Sequence, residues 1–445
     1  MRLPLHLRSL RLVLYAYVPY AYVPYEADEI PVTIYFTHMN LKLQIDSARL
    51  EQHLIELAQI GARTDGGVCR LAFSDADLEG RAYVEDVLSE AGLEIRIDPV
   101  GNLFAILRGT STLPAIMIGS HTDTVATGGR YDGALGVLAA VECALRIKES
   151  GWVPNRSIVV ASFVNEEGVR FMPDMMGSLY HSGQISLDAV AAATDLNGVS
   201  IGQELTRLQG YAGTETLEDI DVGYFLELHI EQGPVLEDED LDIGVVTGVQ
   251  GLSWTEVTVH GASNHAGTTP MERRRDAGLV SGELMSNLRQ LPNEIEGLRL
   301  TIGSVTYHPN LINVIASKVQ FTVDIRHPDS ARLQDAEARV KRLLTEQSVC
   351  QITCKSLARV EPCTFSEQVV SAVQNASDTS GYSSKQMISG AGHDAQILNS
   401  KFRSGMIFIP SRGGISHSVE EYSSPSQVAA GANVLLGAVQ LLTEN

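Results

Sequence analysis

PAIMIGSHTDTVATGGRYDGALGVLAAVECALRIKES, residues 114–150, decides the fold. It opens on PAIMIGS, an apolar run that reads as a buried strand ending at His121. It closes on GALGVLAAVECALRIKES, whose apolar residues recur at helical spacing. Strand, Gly-rich loop and helix in that order begin an α/β unit with a central sheet. The loop brings His121, Asp123 and Asp132 close together with little bulk between them. Such a loop either folds polar groups around a metal or is a polar surface turn. The rest of the chain has to choose.

The same alternation continues on both sides. Upstream, RAYVEDVLSEAG reads as a helix, and LEIRIDP and LFAILRG as strands. Downstream, SIVVASFVNEEG and GYFLELHIEQG read as buried strands. Ligands gather at strand ends in α/β sheets, and His121, Glu166, Glu167 and His229 all sit at or just past such ends. The globular pattern starts near Met39 with IDSARLEQHLIELAQIG, where Asp46 or Ser47 can cap a helix that buries Leu50, Leu54, Leu57 and Ala58. Before it, residues 16–25 repeat AYVPY in tandem, and residues 1–38 are expected to be an extension outside the fold.

The character changes after residue 250. LSWTEVTVH alternates like a half-exposed strand. The helix DAGLVSGELMSNLRQL, the strands LRLTIGSVTYH and KVQFTVDIRH, the helix ARLQDAEARVKRLLTEQ and the strand QITCKSLARV follow. That β-α-β-β-α-β order predicts a two-layer, ferredoxin-like α+β unit. IFIP and PSQVAAGANVLLGAVQLL then resume the first style. The expected architecture is α/β. A catalytic domain over 39–247 and 361–445, with a mixed sheet flanked by helices, is interrupted by a small inserted domain over 248–360.

Composition narrows the function. A chain of 445 residues, 44% hydrophobic, buries a large core. Its net charge of -21 argues against nucleic acid and anionic membranes, since no cationic surplus exists to neutralise phosphates. Two prolines interrupt the apolar run near the N-terminus, which makes it a poor membrane span. Five cysteines without paired zinc-knuckle spacing fit a reduced, cytoplasmic protein.

Three histidines, His121, His229 and His417, join Asp132, Glu166 and Glu167 as candidate site residues. Together they offer nitrogen and oxygen ligands suited to Zn²⁺, Mn²⁺, Co²⁺ or Ni²⁺. Two metals sharing a carboxylate need about five protein ligands, which the set supplies. Taken singly, a strand-end histidine or an EE pair is more often a cap or a solvated charge. Glu166 and Glu167, however, follow SIVVASFVN, a run that should be buried. Asp123, two residues past His121, is close enough to orient its ring.

GSHTDTV, GGRYDGALGVLAA, NEEGVRF, LELHIEQGPVLE, GASNHAGTTPMERRRDA, NVIASKVQFTVDIRH, GAGHDA and SRGGISHSVEE resemble the hydantoinase/carbamoylase family of amidases. That family sits with the dinuclear metallohydrolases of aminoacylase and carboxypeptidase type, and the resemblance runs from about residue 45 to the C-terminus. It implies a zinc-peptidase-like catalytic domain whose inserted domain serves as lid and dimerisation unit. It implies two divalent ions per subunit, zinc foremost, with His121 and His229 on one, Glu167 and His417 on the other, and Asp132 between them. Glu166 becomes the general base that takes the proton of the attacking water. His265 becomes an oxyanion donor, reaching the site from the partner subunit in relatives. Gln232 is placed on the ureido group, Asn313 and Arg326 on the substrate carboxylate, and Gly390 and Gly392 beside them. His393 and Asp394 stay outside the metal set.

The reaction so implied is cleavage of an N-carbamoyl-L-amino acid, a carboxylate-bearing ureide, to the amino acid, carbon dioxide and ammonia by a homodimeric enzyme. Allantoate amidohydrolase, ureidoglycolate amidohydrolase and β-ureidopropionase share the motifs. An aminoacylase or exopeptidase is more distant, because the peptidase branch usually carries a carboxylate ligand where LELHIEQGP has His229. A metal-dead scaffold would have lost a ligand or the base, and none is missing.

Overall fold

The computed structural model describes residues 43–346 and 349–444; the extension expected over residues 1–38 lies outside them. The strand expected from PAIMIGS is β3 below, Ala115–His121, and every residue of it is buried. Strands covered on both faces need continuous apolar sequence, which β3 and Ile158–Phe163 both have. In chain order the first sheet takes β1 (Glu94–Ile97), β2 (Leu103–Leu107), β3, β4 (Ile158–Phe163), β5 (Val222–Ile230) and β6 (Ile243–Val249). The second takes β7 (Gly251–His260), β8 (Arg299–Thr301), β9 (Val305–His308), β10 (Lys318–His327) and β11 (Gln351–Val360). The chain then returns to the first sheet with β12 (Cys363–Thr364), β13 (Ser384–Ser389) and β14 (Arg403–Ile409).

Among the described residues the first sheet has the order β1-β2-β4-β3-β5-β14-β6-β12, with β13 also on β6. Its centre, β4-β3-β5-β14, is parallel, so those four strands end on one edge of the sheet. One face packs against the helices Ser47–Gln59, Ala134–Ser150 and Pro425–Glu444 through residues such as Leu54, Leu138 and Leu435. The last of these is long and apolar enough to cross a membrane, yet its side chains fill this core. Asp46 caps the first helix by accepting from the Ala48 and Arg49 amides.

Gly119, in the middle of β3, touches its neighbour so closely that a Cβ would fall 2.0 Å from the Ala161 carbonyl oxygen. Gly119→Ala is therefore expected to cost about 3 kcal/mol of stability, since neither strand can yield inside a close-packed sheet. A chemical-denaturation midpoint equal to wild type would contradict this packing.

The second sheet is antiparallel, in the order β11-β7-β10-β8, with β9 on β10. The helices Ala277–Leu288 and Ser330–Thr345 cover one face through Leu284, Leu333 and Val340 against Val257, Phe321 and Val323. The strand expected from LRLTIGSVTYH is broken into β8 and β9. Thr322 Oγ1 accepts the Ser304 amide and so takes the place of a ladder bond at the break. The excursion leaves the first sheet at Val249 and returns at Cys363, and these two residues pair.

Candidate active site

Four parallel strands end on one edge, and each delivers polar side chains there. β3 delivers His121 and the loop to Asp132; β4 leads to Glu166 and Glu167; β5 carries His229; β14 leads to His417. Three residues at these strand ends hold left-handed backbone: Asn165 before the glutamates, Gln232 after β5, and His417 itself, with φ of 53°, 57° and 55°. Such strain concentrates where a site dictates the direction of side chains.

Asp132 is the centre. Its Oδ1 lies 3.1 Å from His229 Nε2 and 3.9 Å from His121 Nε2, and its Oδ2 lies 3.5 Å from His417 Nε2. His417 Nε2 is also 3.4 Å from Glu167. His121, Asp132 and His229 therefore form one group of converging ligand atoms, and Asp132, Glu167 and His417 a second that shares Asp132. Gly133 permits this closeness: at φ 62° it has no Cβ, which would strike the His121 ring at 2.3 Å. Glu166 stands beside the groups, 3.4 Å from His121 Nε2.

The ring of His121 is aimed by Asp123, though not as expected. Its Nδ1 is 2.9 Å from the Asp123 main-chain carbonyl and 3.8 Å from the carboxylate. The Asp123 carboxylate instead accepts the amides of Glu166 and Glu167, at 3.2 and 3.3 Å, and holds the two glutamates in place. His229 is fixed similarly, its Nδ1 2.9 Å from the Ile230 carbonyl. In both rings this leaves Nε2 facing the centre.

Electrostatics mark the centre as short of positive charge. Burial pushes the carboxyls of Glu166 and Glu167 well above the usual range, and their neighbours push further: Glu167, Asp394 and Asp123 on Glu166, Asp132 and Asp123 on Glu167. Burial also lifts Asp123 to about 6 and drops His121 to about 4. At Asp132 and His229 burial opposes charge, but their mutual attraction outweighs it. Asp132 stays well below the carboxylate range, and His229 rises to about 9. Buried His121 Nε2 and Glu167 Oε1 have no hydrogen-bond partner. Converging carboxylates, imidazole nitrogens and unpartnered lone pairs fit divalent cations.

A third group, Glu227, His229 and His393, also converges, but its members have other partners. Glu227 accepts from Ser120 Oγ and the Ala395 amide, and His393 Nε2 meets Ser389 Oγ at 3.1 Å.

Glu421 is a residue that sequence reasoning missed. It lies at the end of SHSVEE and is buried behind Asp132. Its Oε1 accepts the amides of Tyr131 and Asp132, at 2.9 and 3.1 Å, and its Oε2 meets Ser416. Ser416 in turn donates to Asp132 Oδ2 at 2.7 Å. Glu421 and Ser416 thus fix both the backbone and the side chain of Asp132.

A cleft of about 580 Å³ opens over this centre. Asp132, Glu166, Glu167, His229, Gln232 and His417 form its floor, while Leu252, Trp254, Arg326 and Val360 of the second sheet form its roof. The profile of peptidase family M20/M25/M40 matches residues 117–441, which hold all of these groups. A hydantoinase/carbamoylase family amidase from Burkholderia multivorans superposes with TM-score 0.84 at 39% identity, covering 90% of this chain and 98% of that one. The chain belongs to this family of amidases. It is 39% identical to N-carbamoyl-L-amino-acid amidohydrolase of Rhizobium meliloti, over 89% of this chain and 96% of the relative. It is 38% identical to allantoate amidohydrolase of Bacillus subtilis, over 85% and 93%. The amidase is therefore a metal-dependent hydrolase of carbon–nitrogen bonds other than peptide bonds.

Of the residues expected around substrate, Gln232, Arg326 and Gly392 line the amidase cleft. The Gly390 carbonyl accepts from Arg326 Nη1 at 3.1 Å and from Gln250 Nε2 at 2.7 Å. Arg326 is also held by Asp324, with nitrogen–oxygen distances of 2.9 to 3.1 Å. His265 and Asn313 lie elsewhere, on exposed loops of the second sheet that pair with each other. There the Ala266 amide donates to the Asn313 carbonyl at 3.0 Å. His265 Nδ1 accepts the amides of Gly267 and Thr268, at 3.0 and 3.2 Å, so a neutral ring carries its proton on Nε2.

Proposed function

We propose that this amidase cleaves the carbamoyl C–N bond of N-carbamoyl-L-amino acids, giving the free amino acid, carbon dioxide and ammonia. Gln232 is the observation that supports a ureide substrate, and the 39% identity to an N-carbamoyl-L-amino-acid amidohydrolase supports the amino-acid ureide among them. Gln232 Nε2 donates to Asp132 Oδ2 at 2.8 Å, which leaves the buried Gln232 Oε1 without a partner in the cleft. A buried acceptor beside the reacting centre asks for an N–H. A ureide offers a terminal NH₂ at the position where an N-acetyl group carries a methyl, which cannot donate.

His121 and His229 would hold one divalent ion, Glu167 and His417 the other, and Asp132 would lie between. Such ions, when bound, acidify a water and polarise the carbonyl it attacks. Glu166 takes the proton of the attacking water and passes it to the leaving nitrogen, a task suited to a carboxyl whose pKa burial has raised. Arg326 binds the substrate carboxylate in exchange for Asp324. The carbamate that leaves breaks down to carbon dioxide and ammonia.

The oxyanion donor is the Nε2–H of His265, brought by a second copy of the chain through the unit over 248–360, which acts as lid and dimerisation domain. The edge strand β9 and the loop after it support this. They expose Val305, Tyr307, Leu311 and Ile312 beside Asn313. His265→Ala is expected to lower kcat by about 10² to 10³-fold with metal content unchanged. Mixing His265→Ala with Glu166→Gln should restore about a quarter of wild-type activity, because a mixed dimer assembles one intact site. Loss of metal in His265→Ala, or a mixture as inactive as its parts, would overturn this assignment.

The reading itself is tested by ammonia release from N-carbamoyl-L-amino acids, N-carbamoyl-β-alanine, allantoate, ureidoglycolate and N-acetyl-amino acids. Ammonia from a carbamoyl-amino acid is the expected result. Free amine from N-acetyl substrates without ammonia would refute the role given to Gln232.

A further inference from the structure

The roof of the cleft is divided by chemistry. Residues of β7 and β10 alternate between the helix-covered face and the cleft face. Across one row the register places Arg299, Arg326, Leu252 and Val360 side by side, on β8, β10, β7 and β11. The next row reads Thr301, Asp324, Trp254 and Ala358. Each step along a row is one strand spacing, about 4.8 Å. The roof is thus cationic at the β8–β10 end and apolar at the β7–β11 end.

The two ends face different floors. Arg299 lies against Gly390, where an added Cβ would fall 2.6 Å from its Nη1. Arg326 binds the carbonyl of the same residue. Among the described residues Arg299 has no carboxylate partner, so this end keeps an unmatched positive charge. At the other end Leu252, Trp254 and Val360 look across the cleft to Met175, Leu179 and Ile397. Five aliphatic or thioether side chains and an indole line this end, with Gln184, Arg359, Glu361 and Gln396 also in the lining of the cleft.

We infer that Leu252, Trp254 and Val360 over Met175, Leu179 and Ile397 form the substrate side-chain pocket, which selects ureides of large apolar amino acids, with Trp254 as the specificity-determining residue. The inference rests on the amidohydrolase reading of the site. A substrate carboxylate at the arginine end points its side chain toward the β7–β11 end. An aliphatic or aromatic group there displaces water from an apolar wall. A hydroxyl or a second ureido group set against these side chains finds one donor, the unpartnered Trp254 Nε1–H, and a second ureido group leaves its other polar atoms without partners. A hydrogen in place of the side chain would leave the pocket unfilled.

The test compares kcat/KM for N-carbamoyl-L-phenylalanine, N-carbamoyl-L-leucine, N-carbamoylglycine, N-carbamoyl-L-aspartate, allantoate and ureidoglycolate with the metal-loaded protein. The phenylalanine and leucine ureides should exceed the glycine one by about 100-fold. Trp254→Ala should cut the phenylalanine-to-glycine ratio by about tenfold or more, and Trp254→Phe should retain it. Leu179→Ala, on the opposite wall, should cut the same ratio, which guards against a misfolded Trp254 variant. A general structural defect lowers both substrates and leaves the ratio intact, and that result would overturn the role of Trp254. Preference of the wild type for N-carbamoylglycine or N-carbamoyl-L-aspartate would overturn the pocket while sparing the proposed reaction, and preference for allantoate or ureidoglycolate would overturn both the pocket and the proposed substrate. Ammonia from none of these ureides would end both.

Discussion

Glu166→Gln is expected to lower kcat by about 10² to 10⁴-fold while the protein retains its metals. The change is isosteric, so the amide of residue 166 still reaches the Asp123 carboxylate and the fold around it is undisturbed. What disappears is a carboxyl that burial and four neighbouring carboxylates hold ready to accept a proton. Glu166 is close to His121 but belongs to neither converging group, so metal content should not follow activity. Activity and metal measured on one preparation decide the matter. Parallel loss of both would make Glu166 a ligand, and retained activity would remove the base from the account.

Asp132→Ala is expected to have the larger effect, because one carboxylate serves both groups. It is the single residue common to His121–Asp132–His229 and Asp132–Glu167–His417. Its oxygens also receive Gln232 and Ser416. Removing it should release metal from both groups and abolish turnover, with metal per chain falling toward zero by elemental analysis. It should also remove the stabilisation that bound metal gives the folded state, so wild type but not the variant gains thermal stability on metal addition. Retention of metal with loss of turnover would mean that Asp132 acts in chemistry rather than in binding.

Glu166 stood out in the sequence for a physical reason, and Asp132 through the Gly-rich loop that carries it. Strands buried on both faces must be continuously apolar, so polar residues just past PAIMIGS and SIVVASFVN stand out. The second sheet was legible from its alternation, since one face meets helices and the other the cleft. The segment between residues 363 and 402 was not. β13 is short, half-exposed and polar, and the helix Glu367–Ser380 has an apolar face of mostly small residues. β8 and β9 merged in the sequence because the break depends on one hydroxyl, Thr322, in a different strand.

The site shows the same limit. Ligand types can be read from spacing, but hydrogen-bond direction cannot. That the Asp123 carboxylate turns to two amides while its carbonyl takes the histidine depends on the turn of the chain after β3. Glu421 reads as a surface glutamate in SVEE until folding buries it beneath Asp132. Arg299 looks unremarkable until register sets it beside Arg326.

The positions of bound metals test this site most directly. Crystals grown with Mn²⁺ should give two anomalous peaks per chain, about 3.5 to 4 Å apart. One should lie between His121 and His229, the other between Glu167 and His417, with Asp132 reaching both and Glu166 reaching neither. A single peak, or a peak among Glu227, His229 and His393, would contradict the account.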